Sequence, residues 1–252
     1  VKNAGYDGVE TSFTLNERDN EEIVEKAGKY NLKVIAQQWD TAAPDFSMHQ
    51  KEYEKRLEVM AKLQPLFITS HSGKDYYTFN QNCELLNLAR DISSSSGVPI
   101  IHETHRGKFS FAAHVTRDYL EALPWLQLTL DVSHWCAVAE SYLADQQDAL
   151  QLALDRTRHI HARVGFKEGP QITDPRNPAW DEALRFHMGC WDQVINARKT
   201  AGDSFFTITT EFGPFPYLSL QQHGVSPGLH WEINNDMKDI LKERYSRCFE
   251  AE

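Results

Sequence analysis

Short apolar runs alternate with longer amphipathic stretches along nearly the whole chain, and this alternation constrains the fold more than any other feature. The runs are GVET at 8–11, LKVIAQQ at 32–38, LFITSH at 66–71, VPIIHETH at 98–105, LQLTLDVSH at 126–134, HIHARVG at 159–165 and FFTITTEF at 205–212. Helix-like segments follow them, at about 17–30, 47–64, 75–96, 109–123, 141–156, 179–201 and 230–247. A strand followed by a helix-length crossover makes the next strand parallel to it, with a right-handed connection. Gly97 with Pro99, and Gly202 with Asp203, mark two helix-to-strand boundaries. A doubly wound open sheet would carry a glycine-rich turn after its first strand, and none is present. The expected fold is therefore α/β, of the (β/α)8 TIM-barrel type lacking its first β/α unit, with seven parallel strands. Residues 1–7 are expected to end a helix rather than form a strand. No linker or shift of composition divides the chain; SSSS at 93–96 reads as a helix end. A single domain over 1–252 is expected, since barrels commonly reach this length as one unit.

Composition narrows the partners. With 26 basic and 36 acidic residues the net charge is −10, a field that repels phosphate backbones and excludes nucleic acid as a default partner. The longest apolar stretches fall far short of the ~20 residues that span a bilayer, so no membrane partner is expected. Hydrophobic residues make up 41 % and charged ones 25 %, which excludes a disordered or fibrous chain. The four cysteines, Cys83, Cys136, Cys190 and Cys248, form no CxxC pair, which suits a reducing, cytoplasmic setting. Self-association into a homo-oligomer stays open.

In such a barrel, catalytic groups gather at the C-terminal ends of the strands. His71, His102, His105, His134, His159 and His161 lie on or just after four of them, joined by Glu10, Glu103, Asp131 and Glu211. Strand alternation sorts these by face. Thr207, Thr209 and Glu211 share one face, as do Thr129 and Asp131, as do His159, His161 and Arg163. Glu103, Asp131, His161 and Glu211 are thus expected to point into the barrel mouth. Three carboxylates there would repel by roughly 4 kcal/mol per pair at 4 Å and an effective dielectric near 20. One divalent ion removes that repulsion and uses all four groups as ligands. Mixed oxygen and nitrogen donors suit Mn²⁺ first, with Zn²⁺, Co²⁺ or Mg²⁺ as alternatives. His71, Glu10 and Trp39, at or just beyond strand ends, are further candidates for substrate binding.

HETHRG, LDVSHW, HIHARVG and TTEFGP, in that order, resemble the xylose-isomerase-like barrel superfamily of sugar isomerases and epimerases. NAGYDGVE resembles the segment leading into that family's second strand. The resemblance spans residue 3 to about 220. It implies metal ligation by Glu103, Asp131, His161 and Glu211, and substrate contact by His134, with His105 and Arg163 as further substrate-binding positions. The implied chemistry is proton transfer beside a carbonyl through an enediolate, with Glu103 and Glu211 as the acid/base pair, on a small sugar, sugar phosphate or polyol. Returning the proton to the neighbouring carbon gives an aldose–ketose isomerase; returning it to the opposite face of the same carbon gives an epimerase. A dehydratase of a cyclic polyol ketone on the same scaffold is the alternative. An apurinic endonuclease fits less well: Asp174-Pro175-Arg176 stands where an Asp-x-His pair is wanted, and Gln37 and Gln38 where a histidine is wanted. A barrel that binds a sugar without turning it over is the non-enzymatic alternative.

Overall fold

In a computed structural model of the chain, the structure describes residues 1–218 and 228–249. Lys2–Ala4 winds into a single 3₁₀ turn, closed by Gly5 in the left-handed region at φ 81°. The chain thus enters its first strand from a helical turn, as expected. The elements that follow are β1 (Gly8–Ser12), α1 (Glu17–Lys29), β2 (Lys33–Gln38), α2 (Phe46–Lys62), β3 (Ile68–Ser70), α3 (Phe79–Ser96) and β4 (Ile100–Glu103). Next come α4 (Ala113–Ala122), β5 (Leu128–Leu130), α5 (Ser133–Ala139), α6 (Gln147–Arg156), β6 (Thr157–Ala162), α7 (Asp181–Thr200), β7 (Thr207–Thr210) and α8 (Leu229–Tyr245). Strand order follows chain order, and each registered pair is parallel. Seven strands are present among the described residues, the number the sequence led us to expect.

The chain divides into two compact units, Val1–Glu103 with Gly107–Phe109, and Thr104–Arg106 with Ser110 onward. In the first, β1 to β4 carry the registers Gly8↔Lys33, Ala36↔Ile68 and Ile68↔Ile100. Phe13, Ala36, Tyr53, Leu57, Met60, Ile68, Leu85 and Ala89 form its core. Helix starts are fixed by side chains that satisfy otherwise orphaned amides. Asn16 and Asp45 accept from the amides of Arg18 and Met48, and Thr78 and Gln81 close a capping box on α3. Gly97, at φ 73°, ends α3 where a side chain would be strained.

In the second unit, β5 pairs with β6 and β6 with β7, with one register shift between Leu128 and Thr129. Leu126, Leu128, Leu130, Trp135, Ile160, Ala162, Trp191 and Val194 are buried. Thr104, directly after β4, donates its amide to the Thr129 carbonyl of β5 at 3.0 Å. The run 126–134 departs from expectation, because the strand stops at Leu130 and residues from Ser133 form α5. The Asp131 carboxylate accepts the Ser133 amide and hydroxyl, a local turn that competes with a continuing strand. No helix of the described residues is long and apolar enough to cross a membrane.

Candidate active site

Asp131 is fully buried one residue beyond β5 and is held from both backbone and side chain. Its amide donates to Thr104 Oγ1 at 2.8 Å, while that hydroxyl donates to the Asp131 carbonyl at 2.9 Å. Its Oδ1 takes the Ser133 amide at 3.0 Å and the Ser133 hydroxyl, and its Oδ2 takes the Arg163 guanidinium. Arg163, one residue past β6 and Ala162, is itself buried and donates from Nε to Ser133 Oγ at 3.3 Å.

His159 and His161 lie two apart on β6, and their rings meet edge to face at 5.2 Å. His159 is tied to β7 through Thr207 Oγ1 at 2.7 Å and Thr209 Oγ1 at 3.2 Å. His161 Nδ1 lies 2.9 Å from Oε2 of Glu211, the residue that follows β7 and Thr210. Glu211 Oε1 lies 3.6 Å from Arg163 Nη1. Asp131, His161 and Glu211 each bring one donor atom to within 4.8 Å of the others. Two carboxylates and an imidazole at that spacing fit a divalent ion of the Mn²⁺, Mg²⁺ or Zn²⁺ type.

His134 opens α5 and is fully buried. Its Nε2 faces Arg163 Nη2 at 2.7 Å and Asp131 Oδ2 at 3.4 Å, and its ring centroid lies 3.9 Å from that of His105. Its Nδ1 faces Arg106 Nη1 at 3.2 Å. Arg106 and Tyr217, which sequence reasoning did not single out, complete this side: Arg106 Nη2 donates to the Tyr217 hydroxyl at 3.3 Å. Both guanidiniums lie over the Tyr217 ring, Arg106 at 5.9 Å and Arg163 at 5.3 Å.

The loop that carries Arg163 is seated by Gly165. A Cβ there would stand 2.7 Å from Ser133 Cβ and 2.9 Å from both Ser133 Cα and O, closer than non-bonded atoms approach. The Gly165 amide donates to His187 Nε2 at 3.1 Å, and His187 Nδ1 in turn donates to the Ala183 carbonyl. Burial lowers the pKa of His187 to about 4, so the ring stays neutral and can accept.

In the first unit, Glu103 ends β4 fully buried, and its Oε2 lies 2.6 Å from His71 Nε2. The His71 amide donates to the Gln38 carbonyl at 2.8 Å. A neutral network lies alongside: His102 Nδ1 meets Ser72 Oγ at 2.6 Å, Ser72 and Ser70 meet the Tyr53 hydroxyl at 2.7 and 2.9 Å, and Ser70 donates to Gln38. Burial pulls the His102 pKa to about 3. Lys108 is buried too, and burial with the nearby Lys74 charge lowers its pKa to about 8. Glu10 lies on β1, half-buried, while Trp39 follows β2 with 52 % of its surface exposed.

A family model described as a xylose isomerase-like TIM barrel matches residues 1–217. The chain is similar in fold to D-psicose 3-epimerase from Clostridium cellulolyticum H10, solved with D-tagatose. Identity there is 14 %, with 99 % of this chain and 91 % of that one covered at a TM-score of 0.61. It is also similar to the probable 3-DHS dehydratase of petrobactin synthesis from Bacillus anthracis, at 15 % identity, 96 % and 90 % coverage and a TM-score of 0.59. A xylose isomerase-like TIM barrel protein from Mycobacterium smegmatis, in complex with magnesium, aligns at 9 % identity, 99 % and 87 % coverage and a TM-score of 0.64. Comparison with curated proteins gives no match.

Proposed function

Because the chain belongs to the xylose isomerase-like TIM-barrel family, we propose that it is a divalent-metal-dependent sugar isomerase or epimerase working by proton transfer beside a carbonyl. The observation that carries this reading is the convergence of Asp131, His161 and Glu211 on donor distances of 4.8 Å or less. Glu103 is the fourth ligand we expect. When bound, the ion polarises the substrate carbonyl and acidifies the neighbouring C–H.

Glu103 and Glu211 move the proton. One carboxylate removes it and the other returns it, either to the adjacent carbon or to the opposite face of the same carbon. His71, 2.6 Å from Glu103 Oε2, orients that carboxylate. His134 and Arg163 donate to substrate oxygens, with His105 packed against His134 to fix its ring. Arg163 also pairs with both Asp131 and Glu211. Mn²⁺ is the ion we expect.

The test is exchange of the substrate α-proton with solvent deuterium, run on the Mn²⁺-loaded protein with a panel of ketoses and aldoses. Glu103→Gln and Glu211→Gln each lower turnover by about 10²–10⁴, the span of general acid–base catalysis. His161→Ala abolishes retention of the ion, read by elemental analysis. Full turnover in both glutamine variants with metal bound would sink the acid/base assignment. Release of water instead of an isomer would assign the dehydratase chemistry.

A further inference from the structure

Arg106 brings a full positive charge to this site with no acid to meet it. Its guanidinium reaches His134 Nδ1 at 3.2 Å and the Tyr217 hydroxyl at 3.3 Å, and neither group is anionic. Among the described residues no carboxylate lies within ion-pair distance of it. Arg163, on the other side of the same imidazole and over the same tyrosine ring, is committed to Asp131 and Glu211. A guanidinium stays charged at any physiological pH and only donates, with five N–H groups in a rigid fork. A neutral His134 ring offers one acceptor nitrogen, yet each of its nitrogens faces an arginine. Neither partner of Arg106 is an acid, and its fork geometry matches a carboxylate or phosphate.

We propose that Arg106, together with the Tyr217 hydroxyl, holds an oxyanion of the substrate, so the sugar turned over here carries a carboxylate or phosphate remote from the reacting carbons. This rests on the isomerase or epimerase reading of the site. Tyr217 fixes the position: its ring packs under both guanidiniums and its hydroxyl holds one of them, so Arg106 is oriented before the anion arrives.

The test compares three matched ketoses in deuterium oxide with the Mn²⁺-loaded protein: D-fructose, D-fructose 6-phosphate and D-fructuronate. At least one anionic sugar should exchange its α-proton with a kcat/KM ten or more times that of fructose, and which one does so separates phosphate from carboxylate. Arg106→Met should erase that preference by about ten- to hundredfold, mostly through KM, as expected for a lost charged hydrogen bond made equally in ground and transition states. Equal handling of all three sugars by the wild type, or an unchanged preference in Arg106→Met, would overturn the proposal. A second measurement stands apart from turnover: calorimetric titration of inorganic phosphate and of glycolate, with glycerol as the neutral control. Oxyanion binding that weakens at least tenfold in Arg106→Met, in protein whose melting temperature is kept, supports the inference even if no sugar exchanges and the isomerase reading falls. Equal oxyanion binding in both proteins overturns it.

Discussion

Beside the Glu103–His71 pair, the strand ends of the first unit bury a neutral set, Gln38, Thr41, Ser70, Ser72 and His102. They satisfy one another around the Tyr53 hydroxyl. At the strand ends of the second unit the buried groups are Asp131, His134, His161 and Arg163, with Glu211 and Arg106 half-buried beside them. That set is held by ion pairs as well as by hydroxyls. Burying hydroxyls and amides that satisfy each other costs little, whereas burying charge costs several kcal/mol per ion even when paired. A chain that needed only stability would choose the first arrangement at both places. The second fits the proton chemistry proposed above, which needs charge at that point.

Breaking each side separately sharpens the comparison. Asp131→Ala removes the closest acid from the buried Arg163 guanidinium. Loss of one partner from such a pair costs about 3–5 kcal/mol, or roughly 6–20 °C in melting temperature for a chain this long. A melting temperature within 2 °C of wild type would show that the charged cluster does not support the fold.

The next effect is one of pH. His187 is neutral in the folded chain because burial lowers its pKa from 6.5 to about 4. The unfolded chain takes up the proton first, so this contribution to stability is complete above pH 6.5. It is lost as pH falls towards 4, by about 3 kcal/mol in all. Urea midpoints measured at pH 7 and pH 4.5 should show that drop in the wild type and a smaller one in His187→Gln. Parallel drops would refute the assignment.

In the neutral network the expected loss is smaller. Tyr53→Phe removes the hydroxyl shared by Ser70 and Ser72, which keep each other at 3.1 Å, and costs about 1–2 kcal/mol with turnover within twofold of wild type. A large loss of turnover would show that this network, too, serves chemistry. The smallest effect marks the outer surface. Asp192→Asn loosens the pairing to Arg244 and Tyr245 and costs under about 1 kcal/mol in denaturant titration, since both ions are substantially solvated.

Period and spacing carried much of this into the sequence. Two-residue alternation placed Asp131, His161 and Glu211 on one face of three strands, and the structure brings their donor atoms together. The same alternation overran at LDVSH, because a turn held by a side chain leaves no mark on hydrophobic period. Arg106 and Tyr217 illustrate the harder limit. They are 111 residues apart, and a contact across that separation follows from how the chain is folded, not from any local pattern. Trp39 shows the converse: an aromatic residue just beyond a strand says nothing about where its loop will turn, and this one is half exposed.

The contact between Gly165 and Ser133 restricts how this protein can change. Ser133 grips Asp131, and Arg163 stands two residues before Gly165, so the Asp131 carboxylate and the arginine paired with it share one rigid seat. No side chain fits at 165 without displacing Ser133, so mutational routes to new specificity that pass through this loop are closed at their first step. Laboratory selection for altered substrates should therefore leave 133 and 165 untouched. Accepted substitutions should accumulate instead around Trp39, half of whose surface is exposed.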